Sequence, residues 1–266
     1  MTFQSHAETI PGGRRIPSPI PPAHTAVLPI PLKESTIPWP SFFALLQRLR
    51  RSHHRRQVTP AEGYRHWAAS YGREPNALQR LEADAMARLF PDVRGQRILD
   101  AGCGKGRLAL EALDRGARHA VAADAILPML CAPDAIRRPN LQRLAAPVNA
   151  LPFAENSFDT VTCGLVLGHV EDLDGAIWNL ARVLNPGGFL LLSGFHPYAT
   201  LVGWERTFQD PSSRRTLVID QHLHLFSDYI ASFKRHGLVL EAFAEPLHEG
   251  FPVVFVLRAR KLPPCG

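Results

Sequence analysis

Cysteine is scarce in this sequence. The four residues, Cys103, Cys131, Cys163 and Cys265, include no CxxC pair and no grouping with histidine at zinc-finger spacing. A disulfide framework and a bound metal are therefore not expected, and reduced thiols suit a cytoplasmic location. No apolar run approaches the roughly 18 residues of a membrane span. The longest, around Gly187–Phe195, is strand-sized. The N-terminal stretch lacks the basic-then-apolar layout of a secretory signal, and internal repeats are missing.

Acidic residues are nearly absent from the first 60 positions. Glu8 and Glu34 stand against eight basic groups, a balance of +6, so residues 61–266 hold 22 of each sign and are neutral. The overall pI near 9.5 thus belongs to an N-terminal arm. A neutral main domain argues against nucleic acid as a partner, because phosphate binding needs a basic face. Ten of the 24 prolines also lie in the first 60 residues, too many for helix or central strand. Residues 1–58 are expected to be an extended, partly disordered arm. Within it, Ser41 is placed to cap a helix from Phe42 to about Arg51, with Phe42, Leu45, Leu46 and Leu49 on one face. Two readings fit that helix: contact with a partner or membrane surface, or docking on its own domain with a solvated basic end.

From Thr59 the composition is that of a globular domain, expected over 59–262. Pro60–Ser70 and Asn76–Phe90 read as helices, the second with a stripe of Leu78, Leu81, Ala85 and Leu89. Short apolar strands then alternate with helical segments. Strands are expected at Arg97–Asp100, His119–Asp124, Leu141–Ala145, Phe158–Leu165 and Phe189–Ser193, and helices at Gly106–Arg115, Ile126–Ala135, Asp174–Leu184 and Ser227–His236. That alternation implies an α/β, doubly wound, mainly parallel sheet with helices on both faces. Leu238–Phe243 and Val253–Ala259 have only a loop between them and should pair antiparallel.

The sharpest segment runs Ile98-Leu99-Asp100-Ala101-Gly102-Cys103-Gly104-Lys105-Gly106. A strand ends at Asp100, a glycine loop follows, and a helix begins near Gly106, the place where doubly wound sheets hold a ligand. The glycines fall as GxGxG rather than the GxGxxG of dinucleotide sites. The carboxylate of Asp100 would repel a pyrophosphate and suit a cationic ligand. Asp124 closes the next strand, 24 residues on, near the spacing expected for an acid that meets ribose hydroxyls.

The run Asp-Ala-Gly-Cys-Gly-Lys-Gly resembles the acid-x-GxGxG motif of class I S-adenosylmethionine-dependent methyltransferases. Three further stretches are similar to that family in the same order: Val121–Asp124, Ala150–Asp159 (ALPFAENSFD) and Leu180–Gly188 (LARVLNPGG). The likeness spans roughly residues 64–260. It leans to small-molecule members, resembling malonyl-carrier-protein O-methyltransferases and quinone C-methyltransferases. It implies a seven-stranded sheet in the order 3-2-1-4-5-7-6 with the last strand antiparallel, S-adenosylmethionine as cofactor, and a small-molecule or carrier-bound acceptor for O- or C-methylation. The cofactor residues it implies are Asp100, Gly102, Cys103, Gly104, Gly106, Asp124, Ala125 and Leu165. Tyr71, in the stretch Trp67–Tyr71, is expected to close over the cofactor, with Tyr64 as a second candidate. The family often carries an acid before the ALPF stretch, where this chain has Pro147, so adenine recognition falls to Val148 and Asn149.

Methyl transfer needs a general base only when the nucleophile arrives protonated. His169 and His196, after the fourth and fifth strands, are the candidates, against a structural role for each. An insertion over about 197–226 is expected to set acceptor choice, with Tyr198, Trp204, His222 and His224 lining the acceptor pocket. Two other classes remain open at this point: a non-catalytic cofactor-binding module with a recruiting arm, and an RNA methyltransferase using the arm as a tether.

Overall fold

The structure is a computed structural model and describes residues 55–72, 77–131, 138–210, 213 and 215–263. Residues 1–54 of the expected arm, with the helix expected over 42–51, lie outside the described residues, whereas the last four, Arg55–Val58, form a strand. In chain order the elements are β1 (Arg55–Val58), α1 (Pro60–Trp67), α2 (Ala77–Leu89), β2 (Arg97–Ala101), α3 (Arg107–Asp114), β3 (His119–Asp124), α4 (Leu127–Leu130), β4 (Leu141–Ala145), β5 (Phe158–Gly164), α5 (Leu173–Val183), β6 (Leu184–Phe195), α6 (Pro197–Leu201), β7 (Arg206–Gln209), β8 (Thr216–Ile219), α7 (Phe226–Arg235), β9 (Leu238–Ala244), β10 (Leu247–His248), β11 (Phe251–Pro252) and β12 (Val254–Lys261).

Seven strands form the main sheet in the order β4-β3-β2-β5-β6-β12-β9. Counted along that sheet alone, this is 3-2-1-4-5-7-6. β12 runs antiparallel to β6 and β9, and the other pairs are parallel. Side chains alternate between two apolar layers, as the pleat requires. Leu99, Val121, Leu190 and Leu192 face one layer. Ile98, Ala122 and Leu191 face the other. Both faces being covered explains why these strands read as continuous apolar runs.

Two boundaries differ from the sequence reading. β6 starts at Leu184 rather than Phe189. Leu184 pairs with Phe158 and Phe189 with Thr160, so the Asn185–Gly188 turn is a bulge within the strand. Gly188 is required there, since a Cβ would lie 2.6 Å from the Asp159 carbonyl oxygen. The helix expected over Ile126–Ala135 is described as Leu127–Leu130, and residues 132–137 lie outside the described set.

A second, three-stranded sheet, β1-β8-β7, is assembled from two distant parts of the chain. β1 pairs parallel with β8, and β8 antiparallel with β7. β1 precedes residue 59, where the sequence reading begins the domain. Its sequence, Arg-Arg-Gln-Val, buries only Val58, so no alternation announces it, and its partner comes from the insertion. α1 packs on this sheet through Tyr64 and Trp67, around a small core of Val58, Phe208, Leu217 and Ile219. Thr59 caps α1 by accepting a hydrogen bond from the Glu62 amide, with Pro60 in the first turn.

Candidate functional site

The parallel strands β2, β3 and β5 bring their carboxyl ends to one edge of the sheet, and the motif residues gather there. Asp100 pairs in register with Ala122 on one side and Thr162 on the other. Its carboxylate accepts a hydrogen bond from the Thr162 hydroxyl at 3.0 Å and another from the Ala109 amide of α3 at 3.1 Å. Asp100 is 1% exposed. Burial pushes its carboxyl up to about 6, against the opposing pull of those two donors.

The glycine loop is held from the neighbouring strand. The amides of Gly102 and Cys103 both donate to the Ala123 carbonyl, at 2.7 and 3.0 Å. Gly102 has φ +69°, and a Cβ there would lie 2.2 Å from Val166 Cγ2, so this position accepts only glycine. Gly104 has φ +56° and donates its amide to Asp124 Oδ2 at 2.8 Å, while Asp124 Oδ1 accepts the Ile126 amide at 2.7 Å. Burial raises the Asp124 carboxyl too. Burial, with Asp100 and Asp124 nearby, holds the Cys103 thiol well above its usual range. It stays protonated and fills space rather than serving as a nucleophile.

These groups open onto a cavity of about 1230 Å³. Its lining includes Tyr71, Asp100, Gly102, Cys103, Gly104, Asp124, Ala125, Val148, Asn149, Leu165 and His169. Leu165 takes φ +58°, a left-handed conformation costly for a branched side chain. The turn is held by the Leu165 amide, which donates to both the carbonyl and the hydroxyl of Ser193. Eight carboxylate side chains line the cavity against three cationic ones, so its field favours a positively charged occupant.

Two of the expected site residues lie elsewhere. Gly106 does not line the cavity. At φ +91° it begins α3, with the Arg143 guanidinium 3.6 Å from where a Cβ would sit. His196 is buried and also does not line the cavity. Its Nδ1 accepts the Tyr198 amide at 3.0 Å, capping α6, and its Nε2 meets Glu245 Oε1 at 2.9 Å. Both ring nitrogens are occupied, so the residue is placed to cap a helix and not to take a proton from a ligand.

His169 does line the cavity, in a short 3-10 turn after β5. Its Nδ1 faces the Asp220 carbonyl at 3.0 Å, which can only accept, so Nδ1 carries the proton. Nε2 then accepts from the Tyr64 hydroxyl at 3.1 Å. Burial and the Arg206 cation lower the imidazole to about 4. A group that resists protonation this strongly is a poor general base. The arrangement makes it a neutral acceptor that orients the Tyr64 hydroxyl. An NMR titration of the imidazole is expected to place its midpoint near 4, with the proton on Nδ1; a midpoint at or above 6.5 would contradict this picture.

No described residue of the insertion lines the cavity. Tyr198, Trp204, His222 and His224 are not among the lining residues. Instead, the His222 amide donates to the Gly168 carbonyl, and His224 donates to the Val170 carbonyl at 2.8 Å. Tyr198 stacks on Phe251. Together these bonds tie the insertion to the turn that carries His169.

Glu82 escaped the sequence reading. It lies on α2 with no exposed surface, and it lines the cavity. Oε1 accepts from the Ser193 hydroxyl at 2.7 Å, and Oε2 from the Arg107 guanidinium at 2.6 Å. The buried stripe of α2 is Glu82, Ala85 and Met86 rather than a purely apolar line. The signal was present: Glu82 stands four residues after Leu78 and three before Ala85, on the inward face.

Residues 99–192 match the family profile described as "Methyltransferase domain". A demethylmenaquinone methyltransferase of Renibacterium salmoninarum is 39% identical over 120 residues, covering 45% of this chain and 48% of that protein. A malonyl-(acyl-carrier protein) O-methyltransferase of Enterobacter lignolyticus is 36% identical over 124 residues, covering 46% and 48%. The chain thus spans about half the length of the curated relatives it matches. Among solved structures, an S-adenosylmethionine-dependent methyltransferase from Mesorhizobium loti aligns with a TM-score of 0.58 at 23% identity, over 68% of this chain and 98% of that one. The 1,6-didemethyltoxoflavin-N1-methyltransferase of Burkholderia thailandensis aligns at 0.53 and 21%, over 82% and 90%. At these identities the structural likeness establishes the fold.

Proposed function

We propose that this chain, which carries a class I S-adenosylmethionine-dependent methyltransferase domain, transfers a methyl group to a small-molecule or carrier-bound acceptor. The observation that carries the reading is the convergence of Asp100, Asp124 and the left-handed glycine loop on an acid-lined cavity of about 1230 Å³. S-adenosylmethionine bears an ammonium and a sulfonium against one carboxylate, so its net charge matches that lining. A polyanion does not, which speaks against an RNA substrate at this cavity.

S-adenosylmethionine supplies the methyl electrophile, and the protein's part is to hold, orient and exclude water. Asp124 keeps lone pairs beyond its two amide bonds and is assigned to ribose hydroxyls. Val148 and Asn149 are assigned to the base. Asp100, Gly102, Gly104 and the Leu165 turn are assigned to the amino-acid end, where buried carboxylates oppose the ammonium. Tyr71 is assigned to cover the cofactor; its ring, edge-on to Tyr64 and Trp67, supports that role. With His169 neutral and engaged, an acceptor that must lose a proton gives it to another group or to water.

The test is incubation of the full chain with S-adenosylmethionine and a panel of phenols, enolic carbons and carboxylates, free and carrier-bound. Release of S-adenosylhomocysteine above the acceptor-free rate is the expected outcome. Cofactor binding without turnover on the whole panel would turn the reading into a binding module.

A further inference from the structure

Arg206 begins β7 behind the aromatic wall of the large cavity. Its guanidinium carbon stands 5.7 Å from the centroid of the Tyr64 ring. Its Nε is buried and has no hydrogen-bond partner among the described residues. A buried N–H donor on a permanent cation is costly to leave unpaired, and an anion meeting the other guanidinium nitrogens would offset that cost. A second cavity, of about 250 Å³, opens against this residue. It is lined by Trp67, Gln79, Trp204, Glu205, Arg206 and His248, among others.

The chemistry of this space is specific. Two indoles border it; Trp67 is already stacked between Phe208 and Tyr64, and the exposed Trp204 offers a surface on which a flat apolar group packs well. Glu205 would oppose an anion, but its carboxylate is paired with Arg55, leaving Arg206 as the uncompensated charge among the described lining residues. Arg206 itself makes no ion pair among the described residues. The volume falls just below that of drug-sized pockets, so the space holds a single ring with one substituent rather than a long ligand. We infer that this second cavity is a binding site for a flat aromatic anion, its carboxylate or phosphate received by the Arg206 guanidinium. A forked guanidinium is the side chain best matched to either group. The site is separate from the cofactor cavity and does not depend on the methyl-transfer reading, although Gln79 borders both spaces.

Calorimetric titration of the full chain with benzoate, phenyl phosphate and benzyl alcohol tests the inference. At least one of the two anions is expected to bind ten-fold or more tightly than the alcohol, and the tighter anion identifies the group the site prefers. Arg206→Gln is expected to weaken that anion ten-fold or more. Trp204→Ala, at a position 42% exposed and so tolerant of change, is expected to weaken it several-fold, and it serves as the test if the Arg206 variant does not fold. Benzyl alcohol binding as well as both anions, or anion affinity unchanged in the folded variants, would overturn the assignment. S-adenosylhomocysteine titrated into the same samples keeps the two readings apart. Its failure to bind the unaltered protein would sink the proposed function and leave the anion site standing.

Discussion

Gly102→Ala is expected to cost about 2–5 kcal/mol of folding stability, the sum of a left-handed backbone penalty and an overpacked contact. The Cβ would overlap Val166, whose Cγ2 lies 2.2 Å and Cγ1 2.9 Å from the required position. Val166 cannot retreat easily, since it follows Leu165, whose own left-handed turn is bonded to Ser193. Relief therefore comes from opening the glycine loop, which also disturbs the amides bonded to Ala123, so cofactor affinity should fall ten-fold or more. Gly104→Ala is the control. Its φ is also positive, but the nearest obstacle is the mobile end of Met129 at 3.2 Å, so the expected cost is only about 1–2 kcal/mol. Urea denaturation midpoints compare the two. Equal losses would mean that the interlock between the glycine loop and the Val166 turn is not what constrains Gly102.

Asp100→Asn should change both the pH dependence of stability and the affinity for a cation. The carboxyl is raised by burial from 3.8 to about 6 in the folded protein. A raised pKa favours folding while the group is protonated. That contribution is complete below about pH 4 and is lost as pH climbs through 6. For a shift of this size the loss is about 3 kcal/mol. The amide variant does not ionise, so its stability relative to the parent should improve by about that amount between pH 4 and pH 7. The asparagine fits: its oxygen can accept from Ala109, and its NH₂ can face Thr162, whose hydroxyl already lies near the Leu99 carbonyl. At pH 7 the same variant should bind S-adenosylmethionine ten-fold or more weakly, because a buried opposing charge has been removed. In the parent, affinity should rise between pH 5 and pH 7 as Asp100 ionises, and the variant should flatten that rise. Parallel stability curves for the two proteins would show that Asp100 is not the group titrating.

How far the sequence could be read varied with how local each cause was. The glycine loop, Asp100 and Asp124 were legible because strand ends, positive-φ glycines and a turn acid follow one another within a few dozen residues. Their roles were less legible. Asp100 looked like a free charge at the mouth of a ligand site, and the fold engages it with Thr162 and Ala109. His196 stood open between a base and a structural residue because it follows a strand, and the fold uses it to cap a five-residue helix. Glu82 was passed over because a carboxylate on an inward helix face makes sense only once Ser193 and Arg107 are known to meet it.

Alternating apolar strands and helices, the spacing of three glycines and the acid before them determined a doubly wound sheet with an acid-flanked glycine loop at its carboxyl edge. These are nearest-neighbour effects of backbone sterics and side-chain period, and a linear chain displays them in full. Only the tertiary structure decided which polar groups face the cavity and which hold the scaffold. It joined β1 to an insertion far along the chain, turned His169 into a neutral partner of Tyr64, and left one nitrogen of Arg206 buried without an acceptor among the described residues. Such outcomes depend on desolvation and on contacts between residues distant in sequence, and no local pattern encodes them.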